Sequence, residues 1–172
     1  MGVKLAAGTQ LMLNLHLFNA TADTLQGVSG TEVQLVSAGE IKDVAEFVLG
    51  GSTAISVPPN GTQTVEGKCT FPSATTLWTV WPHMHQYGTH MKVTYEGASG
   101  TQVLHDGPFS FGDQKNHVLD PLPVAPGDAV RIACTYQNPT PQTINWGDSS
   151  KAEMCFAGLY LYPALTPGLS CQ

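Results

Sequence analysis

TTLWTVWPHMH, residues 75–85, reads as a β-strand and sets the fold class. Side chains two apart on a strand share a side, so Leu77, Thr79, Trp81, His83 and His85 are expected on one side. Trp78, Val80, Pro82 and Met84 are expected on the other. Pro82 has no amide to donate, which predicts an edge or a bulge at that point. Working outward, QLMLNLHLF at 10–18 alternates with Leu11, Leu13, Leu15 and Leu17 on one face. Further strands are expected at 31–37, 43–49, 62–70, 90–96, 101–105, 115–119, 128–136 and 154–162. Turn signals stand between them: Pro58-Pro59-Asn60-Gly61, Glu96-Gly97, Asp106-Gly107-Pro108, Pro126-Gly127-Asp128 and Asn138-Pro139. Many short strands with no amphipathic helix predict an all-β fold, an antiparallel β-sandwich or jelly roll.

The 172 residues suit a domain of ordinary size, although residues 1–50 could form a strand pair leading into a main unit at 51–172. Charged residues make up only 12%, about half the usual share, which disfavours long solvated helices. A formal net charge of -6 with no basic run argues against nucleic acid and anionic membranes as partners. No apolar stretch is long enough to span a bilayer. Cys69, Cys134, Cys155 and Cys171 include no Cys-x-x-Cys pair, so zinc-ribbon and thioredoxin readings are poor. Four scattered cysteines in a β-rich chain predict two disulfides and an oxidising compartment, secreted or periplasmic. Sequons at Asn19 and Asn60 are compatible with secretion. The opening MGVKLAAGTQ lacks the apolar core of a signal peptide, and the chain reads as a mature or excised segment.

The pattern with most chemical content is His83-Met84-His85 taken with Met154 in KAEMCF. His83 and His85 present two imidazoles on one side, whereas Met84 faces away and is a poor ligand candidate. Two histidines with one thioether would be unusual for zinc and natural for copper, since soft sulfur favours Cu(I) and imidazole holds either oxidation state. Three protein ligands also leave a position open for oxygen. The competing reading is a polar surface pair with a methionine filling the core.

Three segments together resemble the type II copper, ascorbate-dependent monooxygenases, the family of peptidylglycine α-hydroxylating monooxygenase and dopamine β-monooxygenase. They are PHMHQYGTHMKV at 82–93, APGDAVRIACTYQN at 125–138 and WGDSSKAEMCFAGLYLYP at 146–163. The order of cysteine, His-x-His, Pro-Gly-Asp, cysteine, Glu-Met-Cys and terminal cysteine also agrees. The resemblance implies that 51–172 is the catalytic copper domain, with His83, His85 and Met154 holding one oxygen-activating copper. It further implies disulfides Cys134–Cys155 and Cys69–Cys171, an ascorbate-type reductant, and O2 with a small organic substrate as partners. The stretch LMLNLHLFNATADTLQGVSGTEVQL, within 10–36, resembles the end of the family's first domain, where His16 matches one ligand of a second, electron-transferring copper. The adjacent His-His pair that completes that site is missing here, so either a longer protein supplies it or the site is lost; a polar strand histidine is the competing reading of His16. Without it, coupled hydroxylation by this chain is expected to be slow or absent.

Trp81 stands where peptide-amidating members carry a carboxylate-gripping arginine, and Phe156 and Gly158 replace their asparagine and tyrosine. The resemblance therefore disfavours a glycine-extended peptide, and Trp81 is a candidate aromatic wall for substrate or a packing residue. Cys134-Thr135-Tyr136 and Tyr160-Leu161-Tyr162-Pro163 look closer to the catecholamine enzyme. His90 and His117 are candidates for groups just behind the copper ligands, against solvent exposure as the plain alternative. His105 is expected in a turn, and Glu153 is expected to be structural, pointing away from Met154. Two other function classes fit the same residues: a non-catalytic copper carrier or sensor, and a recognition domain in which the histidines are incidental.

Overall fold

Strand structure dominates the chain from Val44 onward, and the computed structural model describes residues 2–13, 19 and 21–165. The strands are β1 (Gly2–Val3), β2 (Val44–Ser52), β3 (Ser56–Val57), β4 (Thr62–Thr70), β5 (Thr75–His83) and β6 (Gly88–Gly97). They continue as β7 (Gly100–Pro108), β8 (His117–Val124), β9 (Ala129–Gln137), β10 (Ile144–Asn145) and β11 (Cys155–Tyr162). Among the described residues the sole helical element is a 3-10 turn at Ala38–Glu40, so the fold is all-β as expected. No described helix is long and apolar enough to cross a membrane.

One sheet has the order β1-β2-β11-β5-β8 and another β4-β9-β6-β7, while β3 and β10 form a small ribbon. Among the described strands β1 and β2 pair in parallel and the other ladders are antiparallel. The inward residues of both large sheets share one core: Val48, Val80 and Leu159 come from the first sheet, Met91, Val93 and Ile132 from the second. Each such side chain, removed from water, stabilises the fold by roughly 1.5–3 kcal/mol.

The strand expected over 31–37 is absent: these residues are exposed and unpaired in any sheet. The described part of the strand expected over 10–18 is likewise exposed, Met12 to 95%; the rest, with His16, lies outside the described residues. Alternation yields a strand only where a neighbour takes up the backbone groups and a core takes the apolar face. Neither 31–37 nor the described residues 10–13 have that partner.

Within β5 the expected two-sided pattern holds from Val80 onward and fails before it. A register irregularity between Leu77 and Thr79 shifts the phase, so Leu77 joins Val80 in the core instead of sharing a side with His83. Pro82 lies in an interior strand rather than an outer one. The β8 ladder nevertheless ends at Val80↔His117, and Pro82 pairs only with β11, through Ala157. The proline therefore sits where one side of β5 has already lost its partner, which is why the missing amide is tolerated. The turn expected at Asp106-Gly107-Pro108 is strand instead, with Lys92↔Asp106 and His90↔Pro108 as rungs. β7 is the outermost strand of its sheet, where a proline breaks no second ladder.

Pro126-Gly127-Asp128 does form a turn, with Gly127 at φ +89. The Asp128 carboxylate accepts the Tyr95 hydroxyl and, at 2.8 Å, the Ala125 amide. The hydrogen bond from Tyr95, then that from Ala125, lowers the Asp128 pKa below the usual 3.8, while the hydrogen bond to Asp128, then burial, pushes Tyr95 up to about 12. A carboxyl with a depressed folded-state pKa contributes stability that is present above pH 4 and disappears as pH falls through the folded value. Asp128→Asn is expected to be less stable than wild type at neutral pH, with the gap narrowing below about pH 4. Denaturant melts at two pH values measure this, and a gap unchanged by acid would refute it.

Candidate metal centre

β5 delivers His83 at its last residue, and the chain then turns, the Gly88 amide donating to the His85 carbonyl at 3.3 Å. Gly88 permits the turn by close approach: a Cβ there would meet the Met84 Cβ at 2.7 Å. The His83 and His85 rings lie with centroids 5.4 Å apart, edge to face. His85 is buried, at 2% exposure, whereas His83 is half-buried.

Each ring is oriented through Nδ1. His85 Nδ1 lies 3.0 Å from the Ala152 carbonyl. A carbonyl oxygen only accepts, so Nδ1 carries the proton and Nε2 the lone pair in the neutral ring. His83 Nδ1 lies 2.7 Å from Gln114 Oε1. Gln114 donates its own Nε2–H to the Phe111 carbonyl at 3.0 Å, which fixes which end of the amide faces His83. His83 is thereby also the Nδ1–H tautomer. Phe111 packs edge-on against His85 at 5.8 Å, so the loop over 109–116, between β7 and β8, braces both histidines.

Met154 immediately precedes β11, whose register with β5 places Phe156 opposite His83. Met154 lies two residues before that last rung and His85 two residues after it along their own segments. Glu153 locks this arrangement. It is fully buried, and its carboxylate accepts the amides of His85 at 2.8 Å, Tyr87 at 2.7 Å and Met154 at 3.3 Å. Burial pushes its pKa up, while these backbone amides act against burial. One side chain thus holds the His-x-His turn and the methionine segment together.

Below Met154, the Tyr136 hydroxyl donates to its carbonyl at 2.8 Å. The Cys134–Cys155 disulfide joins β9 of one sheet to β11 of the other, one residue from Met154. Its 21-residue separation predicts that replacing both cysteines by serine costs about 3 kcal/mol, by freeing the unfolded chain. Chemical denaturation of the double variant measures the loss; a change under about 1 kcal/mol would contradict that expectation. Cys69 is fully buried, and no described cysteine is free; its expected partner Cys171 lies outside the described residues.

Trp81 stacks on His83 at 5.0 Å and lies 6.1 Å from Phe47, which in turn packs on Tyr160 at 4.8 Å. Gly158 makes room for this aromatic row, since a Cβ there would come within 2.5 Å of Phe47 and 2.9 Å of Trp81. His90 is on β6, 3.1 Å from Asp106. His117 begins β8 with its ring 4.5 Å from that of His105, which is in strand β7 rather than in the expected turn. Burial, then the neighbouring His117 and His90, lower the His105 pKa.

Gln114, the Ala152 carbonyl and the hydrogen-bond partners of Glu153 are the parts that sequence reasoning missed; Glu153 itself is structural, as expected. Glu153 alone had a signal, an acid beside Met154 in a segment otherwise destined for the interior. The donor set fits copper: two imidazoles oriented by their second nitrogens, and a thioether on a segment fastened from three sides.

A family model described as copper type II ascorbate-dependent monooxygenase, C-terminal domain, matches residues 42–172. Comparison with curated proteins gives no match. Two solved structures of infectious bursal disease virus, Gx strain and Gt strain, are 13% and 12% identical over 74% of this chain. The chain spans 38% and 37% of theirs, and a TM-score of 0.28 in both cases is too low to inform fold or function.

Proposed function

We propose, because this chain belongs to the copper type II ascorbate-dependent monooxygenase family through that family's C-terminal domain, that His83, His85 and Met154 hold one copper ion for C–H hydroxylation. The observation carrying this reading is that both imidazoles are anchored through Nδ1, which leaves Nε2 as the metal-binding nitrogen on each. Copper, when bound, supplies one-electron redox chemistry toward oxygen. His83 and His85 keep the ion bound in either oxidation state, and the Met154 sulfur favours the reduced one. Glu153, Gln114 and the Ala152 carbonyl hold these donors in place before metal arrives. The overall reaction places one oxygen atom of O2 in a C–H bond of a small organic substrate. The other leaves as water, taking up two protons and two electrons, the electrons from an ascorbate-type reductant.

The two large sheets are read as the layers of a β-sandwich, closed by Cys134–Cys155 and by Cys69–Cys171. Secretion or a periplasmic location follows from that cysteine usage. Trp81, stacked on His83, would limit the shape of a substrate that approaches the copper. A first domain carrying the remaining ligands of a second copper site, with His16, is the expected partner in a longer protein.

X-ray absorption of the Cu(I)-loaded protein tests the reading. A Cu–S shell with two nitrogen donors is expected in wild type, and the sulfur shell is expected to vanish in Met154→Ile. An all-nitrogen site in wild type would exclude the thioether. Rapid oxidation of the Cu(I) form by O2 favours the monooxygenase over a carrier or sensor, and failure to bind copper would leave a recognition domain.

A further inference from the structure

We propose that His105 and His117 form a second, two-histidine site for a divalent cation of the zinc class, clasping the outer strands of the two large sheets. β7 is the last strand of the four-stranded sheet and β8 the last of the five-stranded one, so their ladders end at this side of the molecule. His117 stands opposite Val80 and His105 opposite Val93, and both valines are fully buried. Directly opposed residues share a face, so both histidines are turned from outer strands toward the seam between the sheets.

There the rings meet at 4.5 Å between centroids with planes 45° apart, neither stacked nor edge-on. A metal–nitrogen length of about 2.0–2.1 Å places the centroids of two adjacent imidazole ligands roughly 4.5–5.2 Å apart, from a right-angle to a tetrahedral pair, so a small opening of the rings admits an ion. No other described side chain hydrogen-bonds to either ring; His90, nearby on β6, is engaged with Asp106, and Asp106 also with Lys92 at 2.9 Å. Among the described residues no three His, Cys, Asp or Glu side chains gather around one point. The site is therefore a chelate completed by water, exchangeable and accessible because His117 is exposed.

Its place gives it a consequence. His105 and His117 flank the loop over 109–116 that carries Phe111 and Gln114, so an ion here fastens both ends of the segment bracing His85 and His83. This inference uses none of the copper assignment and survives its failure.

Zn2+ titration followed by imidazole NMR signals is the test, in wild type, His117→Ala and His105→Ala. Perturbation of the His105 and His117 signals is expected in wild type, together with one more bound Zn2+ than in either variant and at least a tenfold weaker response in both. Zn2+ is also expected to raise the melting temperature of wild type more than that of His117→Ala, an exposed position that the fold tolerates. Equal stoichiometry in all three proteins, or signals moving only at His83 and His85, would overturn the proposal.

Discussion

His85→Ala is expected to abolish stoichiometric copper binding, and no other single change should do so as completely. The ring is buried, donates to the Ala152 carbonyl and packs against Phe111, so its loss removes a metal donor and opens a hole beside the others. Removing a group that merely orients a metal ligand typically costs about 10–100-fold in affinity, so deleting the ligand should exceed the upper end of that range. His83→Ala should follow it, but with a smaller structural penalty, because that ring is only half-buried. Competition titrations with a Cu(I) chelator measure both. Retention of wild-type affinity in His85→Ala would mean that copper sits elsewhere, and circular dichroism of the metal-free variants separates ligand loss from unfolding.

Glu153→Leu is expected to be the most destabilising substitution near the site. It strips the acceptor from the amides of His85, Tyr87 and Met154, and each buried amide left unpaired costs about 1–3 kcal/mol. A loss of about 3–5 kcal/mol is therefore expected, a large part of the margin of an ordinary domain. Glu153→Gln keeps one acceptor oxygen and should fall between. The glutamine variant carries the functional half of the prediction, because it should fold yet hold copper about 10–100-fold more weakly, with a poorer Cu–S shell. If Glu153→Gln binds copper as wild type does, Glu153 is a folding residue only. If Glu153→Leu unfolds at the wild-type denaturant midpoint, the three hydrogen bonds contribute nothing net.

These two residues show where sequence reading succeeds and where it stops. The alternation along Val80 to His85 suffices to place His83 and His85 on one side and Met84 on the other, because a strand has no other way to dispose its side chains. The same rule fails at Leu77, where a bulge shifts the phase, and at 31–37, where alternation meets no neighbouring strand. Glu153 is structural, as expected, but its partners were not legible for a related reason. An acid next to a strand looks outward by alternation. Here its burial is compensated by two backbone amides, of His85 and Tyr87, from a turn nearly seventy residues earlier in the chain, and by the amide of the adjacent Met154.

The all-β class, the His-x-His and methionine donor types and the family resemblance were determined by the sequence alone, since they depend on residue identity and short-range period. The tertiary structure alone decided which nitrogen of each imidazole carries the proton, that Gln114 and Ala152 hold those rings, that Glu153 joins the two segments, and that His105 meets His117. Every one of these joins side chains or backbone groups distant along the chain, and such pairings depend on strand order and register. Local sequence preference does not specify either, because a strand's neighbours are chosen by the packing of the whole.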